Sequence, residues 1–440
     1  MVKNDILIGT AVDYTSEGFG VVKIDGFPVF VKGLLVNEEA KIGITLVKKS
    51  YAFARIIEII KVSDKRNEDI VCSYSKRCGG CQLLHMKYSH QLEFKKSLVE
   101  NIFQRIGKVD VKVFDVVPME NPYEYRNKVQ IPVGNDNFGK MISGFYRINS
   151  NDIIDMDSCI MQSSLSNEIY QFTKKMLLTD NNYQKTRHIV IKHAFSTNEV
   201  MVCFVVGQRL KNPTKMVKML TKEFPLIKSI IVNYNSKDTN VILGEQEEII
   251  YNQGFIYDYL NDLKFKISLK SFYQINSVQT INLYNKAIEL AQLKPTDIVL
   301  DLYCGIGTIT LFASKFVKKV VGVEIVKQAI NNAIENMTIN NITNCEFVVG
   351  DAGEVANKLD YKFNVIFVDP PRKGLDDIAK DSIIKMDPEK IVYVSCDPAT
   401  LARDVAYFKE YGYVAKDVYL YDMFPNTKHV ECVCLLTRIK

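Results

Sequence analysis

No apolar run in these 440 residues is long enough to cross a bilayer as a helix, so helical membrane proteins are excluded. The opening Met1-Val2-Lys3-Asn4-Asp5 lacks the charged, apolar and small-residue regions of a signal peptide, and a cytoplasmic location is the default expectation. Low-complexity segments and internal repeats are also missing. There is little net charge: 56 Lys and Arg against 51 Asp and Glu leave +5. What remains is an ordinary soluble composition, 47% hydrophobic, in a chain long enough for two to four domains. The small positive excess is concentrated. Residues 61–130 carry 13 Lys/Arg against 9 Asp/Glu, whereas the first 60 balance at 7 against 7. A local basic stretch suits a polyanionic partner, although a solvated surface explains the charge equally well.

Three regions separate by pattern. Residues 1–61 read as five short strands with Gly turns: Ile6–Ile8, Gly20–Ile24, Pro28–Val31, Ile42–Val47 and Ala52–Ile60. That spacing suits a small OB-type barrel, a fold that often binds oligonucleotides. Residues 62–265 are mixed α+β. A helix is predicted over about 85–106, with Leu92, Val99, Phe103 and Ile106 on its buried face, and strands over 188–192 and 200–206. Residues 266–440 alternate apolar strands with helices. The strands Ile298–Leu302, Val320–Glu324, Val365–Asp369 and Ile391–Cys396 predict a mostly parallel, doubly wound α/β sheet. Ligands in such sheets sit at the carboxyl ends of the strands, where Asp301, Glu324, Asp369 and Cys396 fall.

Asp301-Leu302-Tyr303-Cys304-Gly305-Ile306-Gly307 joins a strand to a helix, and its glycines allow a tight turn close to a ligand. Glu324, ending the next strand, can accept both hydroxyls of a ribose. NAD and S-adenosylmethionine compete for this pattern. A diphosphate is usually met by a third glycine at the helix N-terminus, which is missing here, and an acidic first loop suits a sulfonium cation better. S-adenosylmethionine is the preferred reading.

Cys396 ends a strand ahead of Asp397-Pro398, and a thiol at a helix N-terminus is expected to have its pKa lowered. Asp369-Pro370-Pro371-Arg372-Lys373-Gly374 is a stiffened loop that would hold Asp369 and Arg372 rigidly. Glu431 interrupts the apolar alternation of Val430, Cys432 and Cys434. Either it is a general base or it is the solvent side of an edge strand. One chemistry needs a thiol, a carboxylate base and a methyl donor together. A thiolate adds to C6 of uracil, C5 becomes nucleophilic, and a base then removes the C5 proton. A uracil stacked in its RNA would also have to be flipped out to be reached.

In the reducing cytosol, ten cysteines are not expected to pair. Cys72, Cys78 and Cys81 lie within ten residues, with Cys159 available as a fourth, which signals a metal. Four thiolates hold either an iron–sulfur cluster or a tetrahedral zinc, and chemistry alone does not choose.

These motifs together resemble the RNA 5-methyluridine methyltransferase family, most of all its branch acting on 23S ribosomal RNA. That branch carries an RNA-binding TRAM barrel and an iron–sulfur cluster. The resemblance spans nearly the whole chain, with Gly26-Phe27-Pro28-Val29-Phe30-Val31 standing for TRAM. It implies that Cys72, Cys78, Cys81 and Cys159 ligate a [4Fe-4S] cluster. It implies contact with S-adenosylmethionine from Gln274, in Ser271-Phe272-Tyr273-Gln274-Ile275-Asn276, and from Tyr303, Glu324 and Asp369. Thr308 stands where some relatives have Asn, which leaves that contact open. Ser395-Cys396-Asp397-Pro398 matches the nucleophile motif, and Phe424-Pro425-Asn426-Thr427-Lys428-His429-Val430-Glu431 matches the segment carrying the base, Glu431. In relatives the helix after the cysteine loop packs on the catalytic domain. The tRNA-acting branch usually lacks TRAM and cluster, so a ribosomal substrate is expected; separately, the protein is expected to be a monomer.

Overall fold

The computed structural model describes residues 1–237, 239–356 and 359–439. Strands β1 (Ile6–Tyr14), β2 (Gly20–Ile24), β3 (Phe27–Val31), β4 (Glu39–Val47) and β5 (Ala52–Lys61) close into a barrel in the order β1-β2-β3-β5-β4. Alternation along the strands sends Val22, Val29, Val31, Ile42 and Ile44 into its core. Asp25 and Gly26, at φ of 51° and 80°, make the two-residue hairpin between β2 and β3. Such turns favour residues that accept positive φ. Buried Glu38 accepts two hydrogen bonds from Arg66, at 2.6 and 2.5 Å, tying the barrel to the chain beyond it.

Helix α1 (Tyr88–Ile102) and strand β6 (Lys112–Val117) follow the cysteine loop. The helix is shorter than the 85–106 predicted. It ends in a π-turn over Phe103–Gly107 with Lys108 left-handed at φ 49°. That turn shifts the helical phase, so Phe103 stays buried while Ile106 is exposed. A seven-stranded sheet comes next, in the order β13-β12-β11-β10-β7-β8-β9. Its strands are β7 (Lys128–Asn135), β8 (Met141–Tyr146), β9 (Ile153–Asp155), β10 (Thr186–His193), β11 (Val200–Val206), β12 (Ile227–Tyr234) and β13 (Gln246–Asn252). Helices α2 (Ser164–Thr179) and α3 (Pro213–Glu223) cover one face. The hairpin β14 (Phe255–Leu260) and β15 (Leu263–Ser268) then leads into α4 (Ser277–Ala291).

The remaining strands are β16 (Ile298–Leu302), β17 (Lys319–Glu324), β18 (Cys345–Val349), β19 (Val365–Val368), β20 (Lys390–Ser395), β21 (Tyr413–Tyr421) and β22 (Glu431–Arg438). Between them lie α5 (Thr308–Ser314), α6 (Lys327–Ile339), α7 (Ala352–Ala356), α8 (Asp377–Met386) and α9 (Pro398–Glu410). The sheet order is β18-β17-β16-β19-β20-β22-β21-β6. Strands β16 to β20 are parallel and β22 runs antiparallel between β20 and β21, so the doubly wound α/β expectation holds. Order reverses between β16 and β19, the switch point at which such sheets open a ligand crevice.

Two features bear on the domain limits drawn from the sequence. The 62–265 segment is divided in space: β6 pairs with β21 as the eighth strand, and Val99 and Phe103 of the α1 region pack in one core with Leu401 and Val405 of α9. A boundary at 266 would cut β15, whose Phe265 and Ile267 pack with Leu283 and Ala287 of α4. Among the described residues, no helix is long and apolar enough to cross a membrane.

Candidate active site

Parallel strands deliver their carboxyl-end loops to one edge of the sheet, and antiparallel β22 delivers its first residue there. The result is a cavity of about 620 Å³ that brings together Gln274, Tyr303, Glu324, Asp369, Cys396 and Glu431. These six come from six separate segments and are all residues singled out from sequence.

The turn after β16 makes one wall. Tyr303, Gly305 and Gly307 all take positive φ, of 68°, 57° and 83°. For tyrosine this conformation costs about 1–2 kcal/mol. The turn carries that strain where the ring lines the cavity. Glu324 is fixed by two backbone donors, Gly305 N at 3.2 Å and Val326 N at 2.9 Å, while its carboxylate still borders the cavity. Asp301 is fully buried; one oxygen accepts from the Thr310 hydroxyl at 2.6 Å and the other has no partner. Burial raises this carboxyl to about 7. Asp301 therefore braces α5 and does not line the cavity. The Gln274 segment is held from the central sheet side, where Asn127 Nδ2 donates to Gln274 O at 2.8 Å and Asn127 N to Ile275 O at 2.9 Å.

The Asp369–Gly374 loop is anchored by α9. Asp404, wholly buried, accepts from Leu375 N at 3.0 Å and from the Tyr393 hydroxyl at 2.7 Å. Arg403 donates to Lys373 O at 3.1 Å and Leu375 O at 3.2 Å. Gly374 has a φ of 73°, and a Cβ there would lie 2.6–3.0 Å from Arg403, Asp404 and Thr400, so a side chain is excluded on both counts.

Cys396 differs from the sequence expectation. The helix N-terminus beside it is already capped: Asp397 accepts from Ala399 N and Thr400 N at 3.0 and 3.1 Å. Burial and the carboxylates of Glu431 and Asp369 push the thiol up to about 12, with Arg372 opposing. The thiol is protonated in the free protein, contrary to the lowered pKa expected. Glu431 is also not on a solvent-facing edge. Strand β22 lies between two others, and Glu431 is only 3% exposed. Burial, reinforced by Asp369 and opposed by Arg372, raises its carboxyl to about 8. Burial raises Asp369 to about 7.

Asp351 and Asp376 also line the cavity, and the sequence reading passed over both. Asp351 is a carboxylate just past strand β18, the same strand-end signal that marks Glu324 and Asp369. Asp376 caps α8 by accepting from Ala379 N at 2.9 Å, and nothing in its local sequence separates that role from a site role. Thr308, left open before, lines the cavity as well.

A second cavity of about 220 Å³ is lined by Cys72, Cys78, Cys81 and Cys159 together, although 77 residues separate the last two. Burial and the neighbouring thiols raise Cys81 far above the ordinary thiol range, and burial first raises Cys159 to about 11. All ten cysteines are free. Among the described residues, no three His, Cys, Asp or Glu side chains converge as they would around a single metal ion.

The sequence profile of the tRNA (Uracil-5-)-methyltransferase family matches residues 87–439, and that of the TRAM domain matches residues 6–57. A protein of Bacillus cereus named an RNA methyltransferase is 43% identical over the whole of this chain and 98% of its own length. One of Clostridium acetobutylicum with the same kind of name is 44% identical over 97% of this chain and 96% of its own. Among solved structures, the tRNA (uracil-54, C5)-methyltransferase of Pyrococcus abyssi, in complex with S-adenosyl-L-homocysteine, is similar with a TM-score of 0.78 and 29% identity. That match covers 98% of this chain and 99% of the archaeal one. This chain belongs to the tRNA (uracil-5-)-methyltransferase family of RNA-methylating enzymes and carries a TRAM domain at its N-terminal side.

Proposed function

We propose that this enzyme uses S-adenosylmethionine to methylate C5 of a uridine in RNA, with Cys396 as nucleophile and Glu431 as the base. The observation that carries this reading is the single cavity shared by a thiol, a buried carboxyl and the four cofactor-side residues Gln274, Tyr303, Glu324 and Asp369. Glu324, fixed by two backbone donors, is set to accept ribose hydroxyls, and the Tyr303 ring and Gln274 border the same space. S-adenosylmethionine, when bound, supplies an electrophilic methyl on a sulfonium.

Cys396 loses its proton as the uracil enters, and Asp369, whose carboxyl sits near 7, is suited to receive it, which leaves the Glu431 carboxylate free for the C5 proton. The Cys396 sulfur then bonds to C6, and the C5–C6 π electrons move toward O4, which makes C5 nucleophilic. Once C5 carries the methyl, Glu431 takes the C5 proton, the double bond re-forms and the C6–S bond breaks. Buried Glu431, with its pKa about 8, is a stronger base than an exposed glutamate.

The proposed target is 23S ribosomal RNA. The barrel together with the four-cysteine set supports it through the resemblance drawn from the sequence. A tRNA target is the second reading, favoured by the Pyrococcus abyssi tRNA enzyme, whose match extends over 98% of this chain and so includes the barrel region. Nucleoside mass spectrometry for 5-methyluridine in separated 23S rRNA and tRNA, from cells with and without the gene, decides. Loss from 23S rRNA alone is expected. Loss from tRNA alone transfers the target to the second reading, and no loss in either pool overturns both.

The second cavity is proposed to hold a [4Fe-4S] cluster. A four-thiol donor set selects iron–sulfur or zinc. Cys72, Cys78, Cys81 and Cys159 would be its ligands. Protein purified without oxygen should contain four irons with matching acid-labile sulfide, and stoichiometric zinc without iron would overturn the assignment.

A further inference from the structure

The loop ahead of Glu431, Phe424–Asn426, is fastened by chain from the other end of the sequence, while Glu431 itself pairs with Tyr421 of β21. The hub of the loop is Asn426, five residues before Glu431, 2% exposed and left-handed at φ 65°. All four of its polar groups are engaged. Its backbone N donates to Gln91 Oε1 at 3.0 Å, and its Oδ1 accepts from Gln91 Nε2 at 3.1 Å. Its Nδ2 donates to Pro122 O at 2.9 Å, and its carbonyl accepts from Leu83 N at 3.0 Å. On either side, Tyr125 donates to Pro425 O at 3.2 Å and Lys95 to Phe424 O at 3.1 Å. None of these partners belongs to the strands and helices that follow α4. Leu83 lies two residues past Cys81, and Thr427 lines the cysteine cavity while Phe424 lines the catalytic one.

We infer that Asn426 is a positioning residue: through Gln91, Pro122 and Leu83 it sets where the Glu431 carboxyl stands relative to uracil C5. The inference rests on the reading of Glu431 as the base. A reciprocal amide pair between Gln91 and Asn426 fixes both the direction and the distance of the segment. Misplacement of a reacting group by about 1 Å is enough to cost on the order of 100-fold in rate. Since Asn426 touches neither the cofactor side of the cavity nor Cys396, the step it governs is removal of the C5 proton. Binding of S-adenosylmethionine and attack by the thiol should be spared.

Asn426→Gly tests this without introducing backbone strain, because glycine accepts positive φ while losing the side-chain bonds to Gln91, Pro122 and Met161. Gln91→Leu removes the same pair from the α1 side. Each is compared with wild type and Glu431→Gln by three readouts: calorimetric affinity for S-adenosylmethionine, turnover on RNA, and the fraction of protein–RNA adduct on denaturing gels. In both positioning variants, adduct resolution should slow by on the order of 10- to 100-fold. Adduct should accumulate, and S-adenosylmethionine affinity should stay within about twofold. The effects in the double variant should be less than additive, since the Gln91 Nε2–Asn426 Oδ1 bond is lost in both single variants. Adduct resolving at the wild-type rate in Asn426→Gly and Gln91→Leu, while Glu431→Gln traps it, overturns the inference and leaves the base assignment standing. Glu431→Gln that turns over without trapping adduct overturns the base assignment, and the role of Asn426 falls with it. Equal loss of cofactor affinity and adduct formation in both positioning variants would mark Asn426 as merely structural and also overturn the inference.

Discussion

The fold raises the pKa of both Cys396 and Glu431, but only Glu431 changes its state near neutrality, since a thiol in water is already mostly protonated there. Burial keeps the thiol protonated, with a pKa of about 12, and holds the carboxyl protonated up to about 8. The second shift has a measurable consequence. In the unfolded chain Glu431 releases its proton near 4.5, whereas in the folded protein it does so only near 8. Between those values the folded state binds more protons than the unfolded one, so this residue's contribution makes stability fall as pH rises from about 4.5 to about 8, with no further change outside that window. Asp369 acts in the same direction between about 4 and 7. Urea unfolding across pH 5–8 should therefore show a shallower decline in Glu431→Gln than in wild type. In wild type the RNA-methylation rate should climb toward pH 8 as the base form appears. An unchanged stability slope in Glu431→Gln would mean that Glu431 titrates normally.

At the scale of elements, α1 is the piece whose role is least visible from its own sequence. Its Lys95 is completely buried and forms an ion pair of 2.5 Å with equally buried Asp422, and the Tyr88 hydroxyl donates to the other oxygen of Asp422 at 2.7 Å. Asp422 begins the segment that ends at Glu431. Removing one partner of such a pair strands the other charge, whereas removing both can be close to neutral. Lys95→Met should lower stability by about 3–5 kcal/mol, and Lys95→Met/Asp422→Leu should recover much of that loss in urea melts. A double variant no more stable than Lys95→Met would show that the hydrogen bond from Lys95 to Phe424 O, and not the ion pair, carries the effect.

For the whole molecule, the layers are interleaved rather than strung along the chain. Residues before the central sheet supply the eighth strand of the catalytic sheet and the braces for its last loop. One core joins Met201, Cys203 and Val205 of the central sheet to the β14–β15 hairpin and to Val299 and Val392 of the catalytic sheet. The barrel is tied in as well, through Arg66 with Glu38 and through the exposed pair of Lys428 with Glu17, the latter next to the Glu431 segment. One short segment thus reaches both cavities, with Phe424 lining the catalytic one and Thr427 the cysteine one.

Local sequence determined a good deal. Alternation and turn chemistry specified the five barrel strands, because a two-residue Asp-Gly turn and period-2 burial are properties of neighbouring residues. Apolar runs ending in Asp301, Glu324, Asp369 and Cys396 specified a parallel sheet with its chemistry at one edge, since a strand's direction and end are encoded locally. The segments bearing Gln274 and Glu431 were legible only as motifs. Tertiary structure alone decided the rest. A pKa depends on everything packed around a group, so the protonated Cys396 and the proton-retaining Glu431 could not be read from the helix that begins after Asp397. The phase slip that exposes Ile106 arises from a π-turn within an otherwise helical pattern. Contacts such as Gln91 with Asn426, 335 residues apart, follow from how layers stack, which no window of neighbouring residues contains.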